Sequence, residues 1–377
     1  MLEIIISRIN NIRKIFILEN GKIIEQYDED IYAREKIGEI YNGKIKNIKK
    51  GLEAVFVDIG EKKNVFMHTK DIIQEYPVEV GQNILVQIKR NETKYKSAKV
   101  SNKNISITGK YVILLPNVNF ITVSKKINDC NERNRLKILV QKYLPNNMGA
   151  IIRTAAQNKK DLEIEKDINN LKKRWSQILD LKCDKPGLVY NMDSLIRKIL
   201  IDLTDRDISK IVIDNEEDYV FVKKIIDELE ESIGTFIDRN LIQSYNIEKV
   251  LREIKKKKIW LKCGGFIVIE KTEALTAIDV NSGKYVGKNN LRETVFKVNK
   301  EASEEIAKQI RLRDISGMIV VDYIDMNNDE DKEKIKNILI EEMKKDRSRI
   351  QVYDFTKLNL LEITRKKMYS HSEEEQN

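Results

Sequence analysis

At 377 residues the chain is longer than one hydrophobic core usually organises, so two or more compact units are expected. Lysine and arginine number 69 against 60 acidic residues, and 41% of residues are hydrophobic against 34% charged, which describes a folded, soluble, ionic chain favouring a polyanionic partner: RNA, DNA or an anionic membrane surface. No apolar run approaches the ~20 residues that span a bilayer, and the first nine residues are too short and too early-charged for a signal peptide, so a cytoplasmic location without a membrane span is expected.

From the amino terminus, MLEIIIS, KIFILEN and GKIIEQY alternate apolar stretches with turn signals, which predicts a three-stranded meander, too little sheet to stand alone. From Gly38 to about Pro116 short strands recur in EIYNGKIKNI, GLEAVFVDIG, VFMHT, QNILVQIKR and a last one near KNISIT, which predicts a small β-barrel such as the OB-fold. The middle third is mixed α/β. It holds a helix over 128–143 with Leu136, Leu139, Val140 and Tyr143 on one face, a strand over 149–153, and an amphipathic helix over 161–180 containing Trp175. A helix around 193–203, a strand over 210–214 and a helix over 218–229 follow. The last third is the most regular, with strands over 265–270 and 275–281, a helix over 292–311, a strand over 318–323, a helix over 332–345 and a strand over 349–354. The long helix places Val295, Val298, Ala302, Ile306 and Ile310 at helical spacing and ends before Gly317, so this part reads as helices packed on a sheet.

In TAIDVNSGK the strand period of two puts Asp279 and Asn281 on one face and turns Ile278 and Val280 into packing. In GMIVVDYIDM, Asp322 interrupts an apolar run at the carboxyl end of what reads as a buried strand, where a carboxylate is costly unless paired, hydrogen-bonded or bound to metal. An isolated Asp at such a place most often caps a turn. Two of them in one α/β layer raise a shared site for a hard cation as the equal alternative, since magnesium takes one or two carboxylates plus waters. Cys130, Cys183 and Cys263 stand far apart, draw neither a disulfide framework nor a zinc site, and are expected as reduced packing residues. His68 and His371 do not pair, because His371 sits in a polar tail, and this disfavours histidine-driven RNA cleavage through a cyclic phosphate.

At these residues the chain resembles the ribonuclease E/G family. TEALTAIDVNSG followed by EIAKQIRLRDISGMIVVDYIDM is similar to that family's catalytic segment. The likeness runs back through GKIKNIKKGLEAVFVDIG, MGAIIRTAA and KIVIDN and forward through DRSRIQV and LLEITRKK, nearly the whole chain. The resemblance implies a multidomain α/β architecture with an inserted β-barrel. An RNase H-like subdomain would lie in two parts, 1–35 and 193–256. Around these come an OB-fold RNA-binding barrel of the ribosomal-protein S-one type at 36–117, a 5′-sensor at 118–192, a DNase I-like catalytic subdomain at 257–367, and a disordered tail at 368–377.

The same resemblance implies a magnesium-dependent endoribonuclease, with manganese as the other candidate, acting on single-stranded AU-rich RNA in rRNA and mRNA processing and decay. Asp279 and Asp322 would hold the metal, Asn281 would orient the attacking hydroxide and the scissile phosphate, and the products would carry 5′-phosphate and 3′-hydroxyl ends. Asp325 faces away if the strand continues past Asp322, and is only an outer candidate.

Within the barrel, Phe56 and Phe66 lie on neighbouring strands with Lys89, Arg90, Lys94 and Lys96 close behind. Aromatics that stack bases beside cations that follow phosphates grip single strands, while barrel core explains the two phenylalanines slightly better from the residues alone. The resemblance assigns Phe56, Phe66, Arg90 and Lys96 to RNA. Arg153 and Thr154 end an apolar strand, where a guanidinium and a hydroxyl can bind a terminal phosphate or simply lie on the surface. By resemblance they form a 5′-monophosphate pocket with Arg133 and Arg349 as supporting cations, preferring monophosphate over triphosphate. Lysines 255–258 beside Trp260 read as a solvated face and receive no site.

The chain departs from the family pattern where many members carry a CPxC motif that shares zinc between subunits. No such motif is present, so no zinc and no zinc-linked tetramer are expected, and a homodimer is. Asn359 stands where many relatives have glycine, a position asparagine tolerates at positive φ, and Lys125 and Lys126 replace arginines that would bind phosphate bidentately. Two rivals stay open: a non-catalytic RNA-binding scaffold, which the intact Asp279, Asn281 and Asp322 disfavour, and a DNA-directed nuclease, which the barrel disfavours.

Overall fold

The computed structural model describes residues 1–31, 36–73, 78–92, 97–191, 194–203, 206–229, 231–283 and 291–368. Lys94, Lys96, Asp193, His371 and all of the expected tail beyond 368 lie outside the described residues. The chain divides into two compact units, residues 1–33 with 208–377, and residues 34–207.

The first unit begins with the meander, strands Leu2–Ile9, Ile12–Glu19 and Lys22–Asp30 in antiparallel register. Its second turn, Asn20-Gly21, holds both residues at positive φ, 51° and 74°, as a tight hairpin between twisted strands requires. The open edge of Leu2–Ile9 is taken by Ile208–Ile213 in parallel, and that strand by Gly234–Ile237, giving five strands in all.

The same unit carries a six-stranded sheet in the order Lys258–Trp260, Phe266–Lys271, Leu275–Asn281, Gly317–Asp322, Leu360–Arg365, Ile350–Phe355. Its parallel central pair, Leu275–Asn281 and Gly317–Asp322, is connected through helix Leu291–Leu312. Val298, Ala302, Ile306 and Ile310 of that helix are buried against Ile267, Ile269, Ile278, Val280, Ile319 and Val321, with Asp329–Met343 alongside. One face of the sheet is thus covered by helices, and alternate residues of the same strands are left on the other.

In the second unit five strands close into an OB-like barrel. Ile40–Lys49 pairs with Ala54–Asp58 on one side and with Asn83–Arg90 on the other, and Val65–His68 and Lys99–Ser101 complete the circuit. Gly43 marks a point of close approach, because a Cβ there would lie 2.4 Å from Val57 Cγ1. The expected last strand at KNISIT is corrected. Lys99–Ser101 closes the barrel, and only Ile107–Thr108 of that segment is extended, paired with Val112–Leu115 in a separate sheet that also holds Gly149–Ile152 and Ile121–Val123. The backbone N–H groups of Asn102 and Lys103 both donate to the Asp71 carbonyl, which bends the chain out of the barrel, and Ile105 and Ile107 are buried in the neighbouring core.

Helices Cys130–Tyr143, capped by Asp129, and Asp161–Asp180 cover that second sheet with Leu136, Val140, Ile164, Ile168, Leu171 and Trp175. The expectation of packing cysteines is corrected for two of the three: Cys130 and Cys183 are exposed, while Cys263 is half-buried and packs against the core of the six-stranded sheet. Among the described residues no helix is long and apolar enough to cross a membrane.

Candidate active site

Strand Leu275–Asn281 alternates strictly. Thr276, Ile278 and Val280 are buried toward the helices, while Asp279 and Asn281 stand on the open face. Asp322 is the last residue of Gly317–Asp322 and the register partner of Asp279, so the two carboxylates lie side by side on strands roughly 4.8 Å apart. Both are exposed, so Asp322 does not interrupt a buried strand as its apolar neighbours suggested. Asn281 donates from Nδ2 to Asp279 Oδ2 at 2.6 Å, fixing the amide beside the carboxylate. Partial burial, then the negative charges of Asp279 and Asp325, push the Asp322 carboxyl above its ordinary range.

The strand ends at Asp322 instead of continuing, and Asp325 returns close enough for its charge to be felt there. Side chains of the long helix make this turn. Buried Asn299 accepts from the Ile324 N–H at 3.2 Å and donates to its carbonyl at 2.8 Å, and Ser303 Oγ meets the buried Tyr323 hydroxyl at 2.7 Å. Asn359, at φ 61°, donates to Asp325 at 3.5 Å and accepts from Lys332 Nζ at 2.9 Å, so the asparagine does take the left-handed conformation. Asn299, Ser303 and Lys332 went unnoticed in the sequence, where helical spacing marks only apolar positions.

Among the described residues no group of three or more His, Cys, Asp or Glu side chains is arranged to hold a metal. The Asp279 and Asp322 pair nonetheless fits a hard divalent cation: two oxygen donors in register, mutually repelling, with open solvent beside them for the waters such an ion retains.

On the barrel, Phe56 and Phe66 are direct cross-strand partners with ring centres 6.1 Å apart and an edge-to-face tilt of 73°. Val55, Val57, Val65 and Met67 fill the interior, and the two phenylalanines are only half-buried on the outer face. The register continues from Phe66 to Lys99 and from Lys99 to the exposed Arg90, forming one row across four strands. Lys49 Nζ stands 5.8 Å from the Phe56 ring centre, and His68, two residues along the same strand, has its ring centre 6.1 Å from that of Phe66. Lys99, which is salt-bridged to Asp71 at 3.0 Å, was not singled out in the sequence. Lys89 is not part of this outer row: it turns to Gln87, and burial pulls its amine down to about 8.

Thr154 and Arg133 meet at Ser124. Thr154 Oγ1 lies 2.9 Å from Ser124 Oγ, and Arg133 donates to the Ser124 carbonyl at 2.7 Å and the Ile127 carbonyl at 3.0 Å. Arg153 is half-buried, donates to the carbonyls of Gly109 and Lys110, and is salt-bridged to Asp202. Arg349 is exposed and belongs to the other compact unit.

The sequence profile of the Ribonuclease E/G family matches residues 106–368. The chain is 31% identical over 390 residues to Ribonuclease G of Haemophilus influenzae, covering 97% of this chain and 79% of that one. It is 30% identical over 391 residues to Ribonuclease G of Escherichia coli, covering 97% and 80%. Ribonuclease E of Nostoc sp. is 33% identical over 384 residues, covering 94% of this chain and 56% of its own length. The chain belongs to the ribonuclease E/G family, and by that membership it is an endoribonuclease.

Proposed function

We propose that the chain cuts single-stranded RNA internally in a magnesium-dependent hydrolysis, leaving 5′-phosphate and 3′-hydroxyl ends. The observation that carries this reading is the register of Asp279 with Asp322, with Asn281 held against Asp279 on the same open face. Asp279 and Asp322 hold the divalent ion, magnesium or manganese. Held by these carboxylates, such an ion would supply Lewis-acid activation of water and offset charge developing at phosphorus. Asn281, an amide with two N–H donors and its orientation set by Asp279, aligns the scissile phosphate and the attacking oxygen.

The barrel row of Phe56, Phe66 and Arg90 holds the strand, its rings stacking bases and its cations following phosphates, with Lys96 as a further contact. Arg153 and Thr154 take a 5′-monophosphate, braced by Arg133, so monophosphorylated RNA is cut faster than triphosphorylated RNA. The antiparallel meander extended by two parallel strands supports an RNase H-like subdomain (1–35 and 193–256), and the six-stranded sheet with helices on one face supports a DNase I-like catalytic subdomain (257–367). Residues 36–117, whose strands up to Ser101 close the barrel, are the RNA-binding domain, and 118–192 are the 5′-sensor. The enzyme acts as a homodimer in the cytoplasm on AU-rich segments of rRNA precursors and mRNA.

The deciding experiment incubates wild type and Asp279→Asn with AU-rich RNA bearing a 5′-monophosphate, in magnesium or EDTA, and maps product ends. Internal cuts with 5′-phosphate ends, lost both in EDTA and in the variant, are expected. Binding without cleavage in every condition overturns the reading in favour of an RNA-binding scaffold, and equal cleavage of a matched DNA strand overturns the choice of RNA.

A further inference from the structure

Lysines 255–258 read as a solvated face in the sequence, but the edge strand they enter gives the last of them a different setting. In Lys258–Trp260, Ile259 packs toward the helices, and Lys258 and Trp260 stand on the opposite, open face. Cross-strand register then joins Trp260 to Phe266 and Phe266 to Asn281 in one row. A second row runs from Lys258 through Val268 and Asp279 to Asp322. Residues directly opposed across neighbouring strands point to the same side, so an indole, a phenyl ring and an ammonium share a face with both carboxylates.

The indole is 59% exposed on that face. Its ring meets Phe266 edge to face, with centres 5.2 Å apart and a tilt of 63°. Lys258 Nζ lies 4.4 Å from the Trp260 ring centre and 3.5 Å from that of Phe266, a cation held at the rings by their π faces. The turn after Asn281 lies directly against both rings. A Cβ on Gly283, at φ 59°, would come 3.4 Å from Phe266 and 3.5 Å from Trp260, and 2.5 Å from the Gly264 carbonyl, so the aromatic pair and the end of the catalytic strand are packed with no side chain between them.

We propose that Trp260, with Phe266 and Lys258, forms a base-stacking subsite that holds a nucleotide of the single-stranded RNA next to the scissile phosphate. The base lies on the exposed indole, and the Lys258 ammonium meets a neighbouring phosphate. The inference rests on the endonuclease reading of Asp279 and Asp322. A nucleic acid is favoured over a protein on this face because its two components, planar bases and a polyanionic backbone, match an exposed ring beside a cation two strands from the carboxylates.

Trp175, the other tryptophan, is buried in the other unit, so added quenching reports on Trp260. Full-length protein in EDTA is titrated with a short AU-rich single-stranded RNA while tryptophan emission is followed, with Trp260→Phe defining the contribution of Trp175. In magnesium, KM and kcat are measured for wild type, Trp260→Ala and Trp260→Phe.

Saturable quenching in wild type that is absent in Trp260→Phe is expected. KM should rise about tenfold in Trp260→Ala, with kcat within about twofold, and stay near the wild-type value in Trp260→Phe, which keeps a stacking ring. Absence of quenching together with an unchanged KM in Trp260→Ala overturns the proposal. So does an emission change that follows protein concentration without RNA, which assigns the face to a second copy of the chain. If wild type quenches but does not cut, the endonuclease reading has failed and the stacking subsite has not.

Discussion

Asp279 and Asp322 stand opposite each other as register partners on adjacent parallel strands, and Asn281 reaches the first of them from two residues along the same strand. Groups that hold one ion jointly do not contribute independently, because removing either ligand dismantles the site. Asp279→Asn and Asp322→Asn are each expected to lower kcat by about 100-fold or more, and the double variant should be no slower than roughly the worse single one. RNA affinity measured in EDTA should stay within about twofold for all three, since binding rests on other surfaces. Rate losses that multiply in the double variant would show two independent roles.

The outward Phe56 and Phe66 pair makes a different prediction. Each alanine substitution should weaken RNA binding by about 1–3 kcal/mol, the worth of one stacked base. Barrel stability should change little, because Val55, Val57, Val65 and Met67 fill the interior. Filter binding alongside thermal denaturation separates the two. A large loss of stability with unaltered affinity would return both rings to a packing role.

Asn299 tests how the turn behind Asp322 is held. Its amide satisfies both backbone groups of Ile324 inside the protein, so Asn299→Ala strands an N–H and a carbonyl at a cost of about 1–3 kcal/mol. The turn then loosens Asp322 and Asp325 together. The expected outcome is a lower denaturation temperature and a roughly tenfold fall in kcat with KM little changed. Full activity in a destabilised protein would show that the turn is held by Ser303 and Tyr323 alone.

Asp218 gives the pH dependence. Burial pushes its carboxyl up, but hydrogen bonds from Arg13 and Arg8 and from Asn215 outweigh that and hold it at about 2. A carboxyl depressed in the folded state contributes stability that is full above its ordinary value near 4 and fades as the pH falls toward 2. Asp218→Asn should therefore cost about 2 kcal/mol at pH 7 in urea denaturation, and the gap from wild type should narrow between pH 4 and pH 2. A gap that is constant over this range would place the effect in packing instead of charge.

Elements with strong periodicity were legible in the sequence. The helix Asp161–Asp180 and the strand Leu275–Asn281 fall where the pattern put them, because each sorts its apolar residues onto one side over many positions. Lys258–Trp260 and Lys99–Ser101 are three residues each, too short to show alternation, and one of them closes a barrel while the other edges the six-stranded sheet of the first unit. Leu360–Arg365 escaped notice although it pairs on both sides, since its turn-like start hides an alternation of Leu361, Ile363 and Arg365 inward. The segment EAVFVD is apolar at successive positions, so only the closed barrel decides that Val55 and Val57 face in and Phe56 faces out. The placing of Asp325 depended on whether the strand continued past Asp322, and it does not: Asn299, 25 positions before Ile324 on the long helix, takes both backbone hydrogen bonds of Ile324.

The sheet begun by the first thirty residues is finished only by Ile208–Ile213 and Gly234–Ile237, whereas every strand pairing of residues 34–207 lies within that span. On the ribosome the two units therefore mature in the reverse of their order in the chain. The apolar strand Leu2–Ile9 emerges first and waits, with one edge unpaired, for roughly ten to forty seconds of elongation before its partner is made. The inserted unit, begun later, has all its partners earlier, so a nascent chain halted near residue 207 carries a finished barrel tethered to a meander still exposed to whatever other edge it meets.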